Sequence, residues 1–382
     1  LTQELGMPNL VRSNPLLPRI CSHMKLSRYL LLGALLALPL FAAACGGDDD
    51  SPTPTATAAA NTTAGPTSEP LSGRLIVYSG RSEDLIGPLL EKFQAETGVD
   101  VRVRYGSTPA MAAATPEEGS RSPADVYIGQ DAGSVGQLSL AGVFAPLPED
   151  VLSMVPAQFS SASGDWVGIS GRVRVVVYNK AKHTPESLPD SIFDYTDPAW
   201  RGKIGWAPTN ASFQSFVTAM RVIHGEAQTK AWLEGIVANN PMVYSGNGQV
   251  LQAVASGEVE VGFINHYYLG PRLAETGGNF GAANYYFTNG DVGGLMNVAG
   301  VGVLKTAPNQ AAANALIKFL LSAESQEYFA TQTYEYPLLP GIPPPAEYIP
   351  PLDTLNVIEV DLSKLGDVEA TVALLQQTGA LP

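Results

Sequence analysis

Two tyrosines stand side by side at positions 267 and 268, in the string NHYYLG (265–270), directly behind the apolar run VGFI (261–264). A phenol ordinarily keeps its proton up to a pKa of about 10. A hard trivalent cation displaces that proton, because such metals favour anionic oxygen and their binding is coupled to ligand deprotonation. Adjacent residues in irregular backbone after a strand could converge on one ion. They could equally pack in a sheet or stack on a sugar, and the local pattern leaves both readings open. His266 lies beside the pair, but a single histidine there reads as a surface or hinge residue and is left out of the ligand set. A second pair, Tyr285 and Tyr286 in ANYYFTN, falls within a strand-like run. Neighbours in a strand point to opposite faces, so this pair is read as structural.

The segment APTNASFQ (207–214) joins a strand to a helix beginning near Ser212. Free backbone N–H groups at a helix start make an anion site, to which Asn210 and Ser212 could add side-chain donors. The same residue types serve as ordinary N-caps. No nucleophile elbow, phosphate-binding loop, HExxH helix or dinucleotide fingerprint occurs, so no catalytic set is found. Beyond residue 44 only His183, His224 and His266 remain, which makes a histidine zinc site improbable.

The elements that must position these residues alternate between strand and helix. RLIVYS (74–79) reads as a strand, and 82–98 as an amphipathic helix stopped by Gly98 and kinked at Pro88. Further strands are expected at 101–105, 124–129, around 203–207, 242–245 and 261–264. Helices are expected at 132–141, 212–224, 226–238, 248–256, 309–321, 324–331 and 367–378. Two longer runs, 172–179 and 295–305, are long enough to cross between lobes. The reading is therefore an α/β chain folded as a two-lobed clamshell, with a ligand cleft at the carboxyl ends of its strands and a two-strand hinge.

The chain of 382 residues suffices for two domains, and its formal charge of −14 argues against a nucleic-acid partner. Its two cysteines, Cys21 and Cys45, both precede the folded region, which excludes a disulfide framework there. Met24 reads as the start of an export signal: Lys25 and Arg28 precede an apolar stretch at 29–44, too short for a comfortable membrane span, that ends at Cys45. Small residues followed by a cysteine resemble a lipoprotein signal, with Cys45 as the lipidated residue. The Thr-, Ala-, Pro- and Gly-rich segment 45–72 reads as a disordered tether. Removing 1–44 takes away four cations and one anion, so the formal charge falls from −14 to −17. Lobe 1 is assigned to 73–171 plus about 296–340, and lobe 2 to 172–295 plus about 341–382.

Six strings together resemble the periplasmic ferric-ion-binding proteins of iron ABC importers, which have the type II periplasmic-binding-protein fold. They are VYSGRSE (77–83), PADVYIGQDAG (123–133), SGRVRVVVYN (170–179), RGKIGWAPTNASFQ (201–214), LQAVASGEVEVGFINHYY (251–268) and NVAGVGVLKTAPN (297–309). The resemblance implies that Tyr267 and Tyr268 are ligands of Fe(III) and that a synergistic anion, phosphate or carbonate, completes the shell. The anion loop would fall on Asn210, Ala211 and Ser212, helped by Asn247, Asn265 and Ser82, with Arg172 as the cleft arginine. Where many relatives carry a first-strand His this chain has Ser82, followed by Glu83. Where they carry Glu it has Gln130, followed by Asp131, and where some carry a third tyrosine it has Phe213. Glu83 and Asp131 are thus either substitute oxygen ligands, alongside Gln130, or acids at helix N-termini.

The resulting expectation is a binding protein and not an enzyme: a single-copy lipoprotein outside the cytoplasmic membrane that passes iron to a permease and ATPase. The alternatives are a binding protein for an oxyanion or organic solute and, further off, a secreted hydrolase.

Overall fold

Thirteen consecutive buried residues, Val167–Asn179, form the longest strand and organise the rest of the fold. A computed structural model describes residues 71–343, 348–358 and 360–381. The expected signal segment, the lipidation of Cys45 and nearly all of the tether lie outside the described residues. The described residues belong to one compact unit.

The strands are β1 (Arg74–Ser79), β2 (Asp100–Tyr105), β3 (Val126–Gly129), β4 (Val167–Asn179), β5 (Ile204–Trp206), β6 (Met242–Val243), β7 (Val261–Asn265), β8 (Ala282–Tyr285) and β9 (Met296–Val303). The helices are α1 (Glu83–Thr97), α2 (Thr108–Glu118), α3 (Ala132–Leu140), α4 (Glu149–Leu152), α5 (Ala211–His224), α6 (Glu226–Ala238), α7 (Asn247–Ser256), α8 (Leu269–Glu275), α9 (Gln310–Leu320), α10 (Ala323–Thr331) and α11 (Val368–Gln377). The sheet runs in the order β2-β1-β3-β9-β4-β7-β5-β6, with β8 also paired to β4.

β4 changes partner along its length. Its first half, through Val173, pairs antiparallel with β9. From Arg174 onward it pairs with β7 and then β8. The run expected from Arg172 begins five residues earlier, at Val167, because Gly168 and Gly171 still fit the ladder. The second long run appears as β9, which fills the place between β3 and β4.

The apolar period predicted for α1 is realised. Ile86, Leu89, Leu90 and Phe93 are buried, and Gly98 ends the helix in the left-handed region at φ 75°. The helix runs through Pro88 without interruption. Pro88 has no N–H for the carbonyl of Asp84, and the Tyr328 hydroxyl donates to that oxygen at 3.5 Å instead. α5 rests on an aromatic floor, with Phe213 packed edge-on to Trp206 at 5.4 Å and Phe216 edge-on to Trp232 at 5.8 Å. That packing, with Phe213 and Trp206 both buried, fixes the turn between β5 and α5.

The C-terminal segment joins the two halves of the sheet. Asp367 and Thr371 are tied to Arg221 of α5, while the backbone at Gly366 lies against Gly136 of α3. A Cβ on Gly366 would stand 2.6 Å from the Gly136 carbonyl carbon, so only glycine allows this approach.

Candidate metal and anion site

β7 delivers Asn265 at its end, and the chain then makes a 3-10 turn, His266–Tyr268, that leads into α8. The irregular backbone expected at this point is thus a single tight turn. It turns both rings to one side, where Tyr267 and Tyr268 stack with centroids 4.4 Å apart and planes at 25°. Tyr267 is buried, at 3% exposure. Its oxygen accepts from Gln130 Nε2 at 2.8 Å, which joins the end of β3 to the end of β7.

Two guanidinium groups flank this pair. Arg172 and Arg174 alternate on β4, so both face the same side of the strand. Arg172 lies 6.0 Å from the Tyr267 ring centroid and donates to the Gln130 carbonyl and, at 2.5 Å, to Glu335. Arg174 rests over Phe216 at 5.1 Å and donates weakly to Asn265 Oδ1 at 3.5 Å. Burial pulls the Arg174 pKa down to about 9, while Tyr268 and Tyr267 push it the other way. Burial, and next the neighbouring Tyr268, holds the Tyr267 phenol well above its ordinary value; Arg172 opposes that rise. With no cation beside it, the Tyr267 phenol therefore keeps its proton at neutral pH.

The loop expected to hold an anion lies at the start of α5. Asn210 is the N-cap, its Oδ1 accepting from Ser212 N at 3.1 Å and from Asn247 Nδ2 at 3.5 Å. Ala211 is the first residue of the helix, and Ser212 and Asn247 are buried. Capping and donation are compatible here, since the cap uses one of several free N–H groups. Buried polar atoms near these elements that lack a hydrogen-bond partner include Gln130 Oε1, Arg174 Nη2, Asn247 Oδ1 and Asn265 Nδ2. Buried polar groups are normally paired, so such a concentration marks a place built for a ligand.

The remaining candidates are distributed as follows. Asp131 caps α3, accepting from Ser134 N at 2.9 Å, and its Oδ2 has no partner. Burial raises its pKa to about 6. With Ala211 and Gln214 it lines a cavity of about 560 Å³ between α2, α3, α5 and α11. Ser82 and Glu83 are exposed at the start of α1, and no hydrogen bond joins either to the tyrosines. Glu83 and Asp84 are acids in the first turn of that helix, which favours the dipole reading for Glu83. Phe213, where some relatives carry a third tyrosine, is fully buried in the aromatic floor.

His266 is buried, not at the surface. Its Nδ1 accepts from Val173 N at 3.1 Å, where β4 changes partner, and burial lowers its pKa to about 4. Tyr285 turns away from the site, donating to Asp190 at 2.6 Å.

Sequence reasoning missed Arg174, Arg81 and Glu335. The R-V-R spacing at 172–174 was a signal for Arg174. Nothing local marks Glu335, which reaches the site from the end of the segment assigned only to lobe 1. Among the described residues no three His, Cys, Asp or Glu side chains gather as a metal cluster. A cation held here would rest mainly on phenol oxygen.

Comparison with known proteins places the chain among solute-binding proteins. Residues 89–351 match the family described as bacterial extracellular solute-binding protein. An Fe(3+)-binding periplasmic protein of Serratia marcescens is 33% identical over 309 residues, which cover 80% of this chain and 90% of that protein. Iron uptake protein A1 of Synechocystis is 37% identical over 276 residues, covering 70% of this chain and 76% of the relative. The crystal structure of iron-bound HitA from Pseudomonas aeruginosa superposes with a TM-score of 0.76 at 32% identity, over 80% of this chain and 99% of that one.

Proposed function

Because the chain belongs to the bacterial extracellular solute-binding protein family, and within it to the periplasmic ferric-ion-binding proteins, we propose that it captures Fe(III) through Tyr267 and Tyr268. A synergistic oxyanion held at the start of α5 completes the site. The chain is a binding protein of an uptake system and not an enzyme, as its relatives are.

The observation that carries this reading is the stacked pair beside guanidinium groups, with Tyr267 buried and bonded across the sheet to Gln130 and Tyr268 half-buried. Two phenolates supply two negative charges to a trivalent ion, and Gln130 supplies none. An anion is therefore needed to bring the complex near neutrality before it leaves water. Donors for it stand at the first turn of α5, at Asn265 and Asn247, and at Arg172. In this reading Gln130 serves as a neutral partner of Tyr267, and Asp131 as the cap of α3.

The binding step is a proton exchange. Each phenol surrenders its proton as the cation arrives, so lower pH favours release. The partner change on β4, with β9 beside it, gives a two-strand connection about which the halves close as a hinge. Lobe 1 (73–171 and about 296–340) and lobe 2 (172–295 and about 341–382) are the moving bodies. Cys45 is the lipid anchor, 45–72 the tether, and a permease with its ATPase the recipient.

Titration of iron-free protein with a ferric chelate tests this directly. An orange-to-red tyrosinate charge-transfer band should grow to one equivalent and should require phosphate or carbonate. A protein that stays colourless and binds no iron would refute the proposal.

A further inference from the structure

We infer that Glu335 is a positioning residue for the iron site: from the C-terminal tail it holds Arg172 against Gln130 and over Tyr267. This inference rests on the iron reading above and goes beyond the ligand set.

Glu335 is fully buried, as are both arginines it meets. It accepts from Arg81 at 2.6 and 3.2 Å, from Arg172 at 2.5 Å and from the Thr333 hydroxyl at 2.9 Å. Arg81 follows β1, Arg172 lies on β4, and Glu335 arrives across a single bridge between Gly171 and Tyr336. Three distant parts of the chain thus fix one guanidinium.

The fixed group acts on the site from two directions. One nitrogen of Arg172 donates to the Gln130 carbonyl, and the Gln130 side chain donates to Tyr267. The guanidinium also lies over the face of the Tyr267 ring. A guanidinium is planar and rigid, so holding its far edge sets where its near edge points. Glu335 holds that far edge. It is the one carboxylate that bonds both guanidinium groups among the described residues, while the buried Asp131 carboxyl lies within electrostatic reach of Arg172.

The test uses the full chain and compares Glu335→Gln, Gln130→Ala and the double variant. Iron affinity is read by chelator competition and the tyrosinate band by visible absorption, all well below the melting temperature. Glu335→Gln should weaken iron retention by about 10- to 100-fold, the usual range for residues that orient metal ligands, and should shift the band. The double variant should lose no more than the worse single one, because both changes cut one relay. Glu260→Gln, which breaks the contact with His183 at 2.9 Å away from the site, should lower stability and leave the band in place. If Glu335→Gln fails to fold, Arg172→Lys poses the same question, since an ammonium keeps the charge and loses the fork. An unshifted band with wild-type affinity in either folded variant overturns the inference, as do losses that multiply in the double variant. A wild type that binds no iron overturns the functional reading itself, and this inference with it.

Discussion

The chain contains two Tyr-Tyr pairs eighteen positions apart in an otherwise similar setting, each at the end of a strand that pairs with β4. Tyr267 and Tyr268 leave β7 in a 3-10 turn and stack on one side. Tyr285 ends β8 and turns to Asp190, while Tyr286 turns the other way, its ring 6.5 Å from His266. Burial raises the pKa of Tyr285, Tyr286 and Tyr267 alike, so burial does not distinguish the pairs. What separates them is convergence. Among the described residues the first pair stands beside two guanidinium groups, Arg172 and Arg174, whereas no guanidinium lies over either ring of the second. Residue type and adjacency permit a metal site, and the backbone element that carries them decides whether one forms.

The largest effect that would break this comparison comes from removing the first pair's oxygens. Tyr267→Phe with Tyr268→Phe keeps both rings, so the fold should persist. The visible band should vanish and iron affinity should fall by at least about a thousandfold, ~4 kcal/mol. If the double variant binds ferric ion as the wild type does, the first pair is no more a site than the second.

A smaller loss is expected at the loop before α5. Asn210→Ala with Ser212→Ala removes the cap and a donor. Stability should drop by about 1 kcal/mol, and iron retention should weaken most when phosphate and carbonate are depleted. Dialysis against chelator with and without phosphate measures it. Equal retention in both buffers would remove this loop from the site.

Asp131 sharpens the comparison from the side of stability. Its folded pKa is raised to about 6 by burial, so the ionised form is penalised once it appears. That penalty is absent below about pH 4, the ordinary carboxylate range, and grows as pH rises through about 6. Asp131→Asn keeps the cap oxygen and removes the charge. Iron-free Asp131→Asn should therefore be more stable than wild type at pH 7, with the gain disappearing by pH 4, as urea melts at stepped pH would show. A loss of stability at pH 7 contradicts the assignment. Iron affinity should be little changed, which would set Asp131 apart from the first tyrosine pair.

The smallest effect belongs to the second pair. Tyr285→Phe loses one hydrogen bond, to Asp190, and should cost under about 1 kcal/mol. The charge-transfer band should not move. A band shift comparable to that of Tyr267→Phe would erase the distinction between the pairs.

Much of this arrangement was legible in advance. Strand β1, helices α5, α6 and α11, and the long strand β4 follow from β-branched runs, apolar spacing and glycine stops. Helix α2 was not anticipated: TPAMAAATPEE has almost no apolar face, and its Pro116 argues against a helix. Within the site, the tyrosines and the α5 loop were visible because each is local. Arg172 came with the family's string, whereas Glu335 was invisible because its partners lie 163 and 254 positions away. Of the two readings of His266, surface or hinge, burial against Val173 N excludes the surface one, since nothing in NHYYLG announces that this N–H would need an acceptor.

The bond between Arg81 and Glu335 also bears on how the chain is made. Strand β9 fills the gap between β3 and β4, and Glu335 arrives after it. The first half of the sheet therefore cannot close while only its own residues have left the ribosome. Contacts so distant in sequence favour slow folding, because long loops must be ordered before they are rewarded. That half of the sheet is therefore complete only once β9 and Glu335, both in the last quarter of the sequence, are available to it.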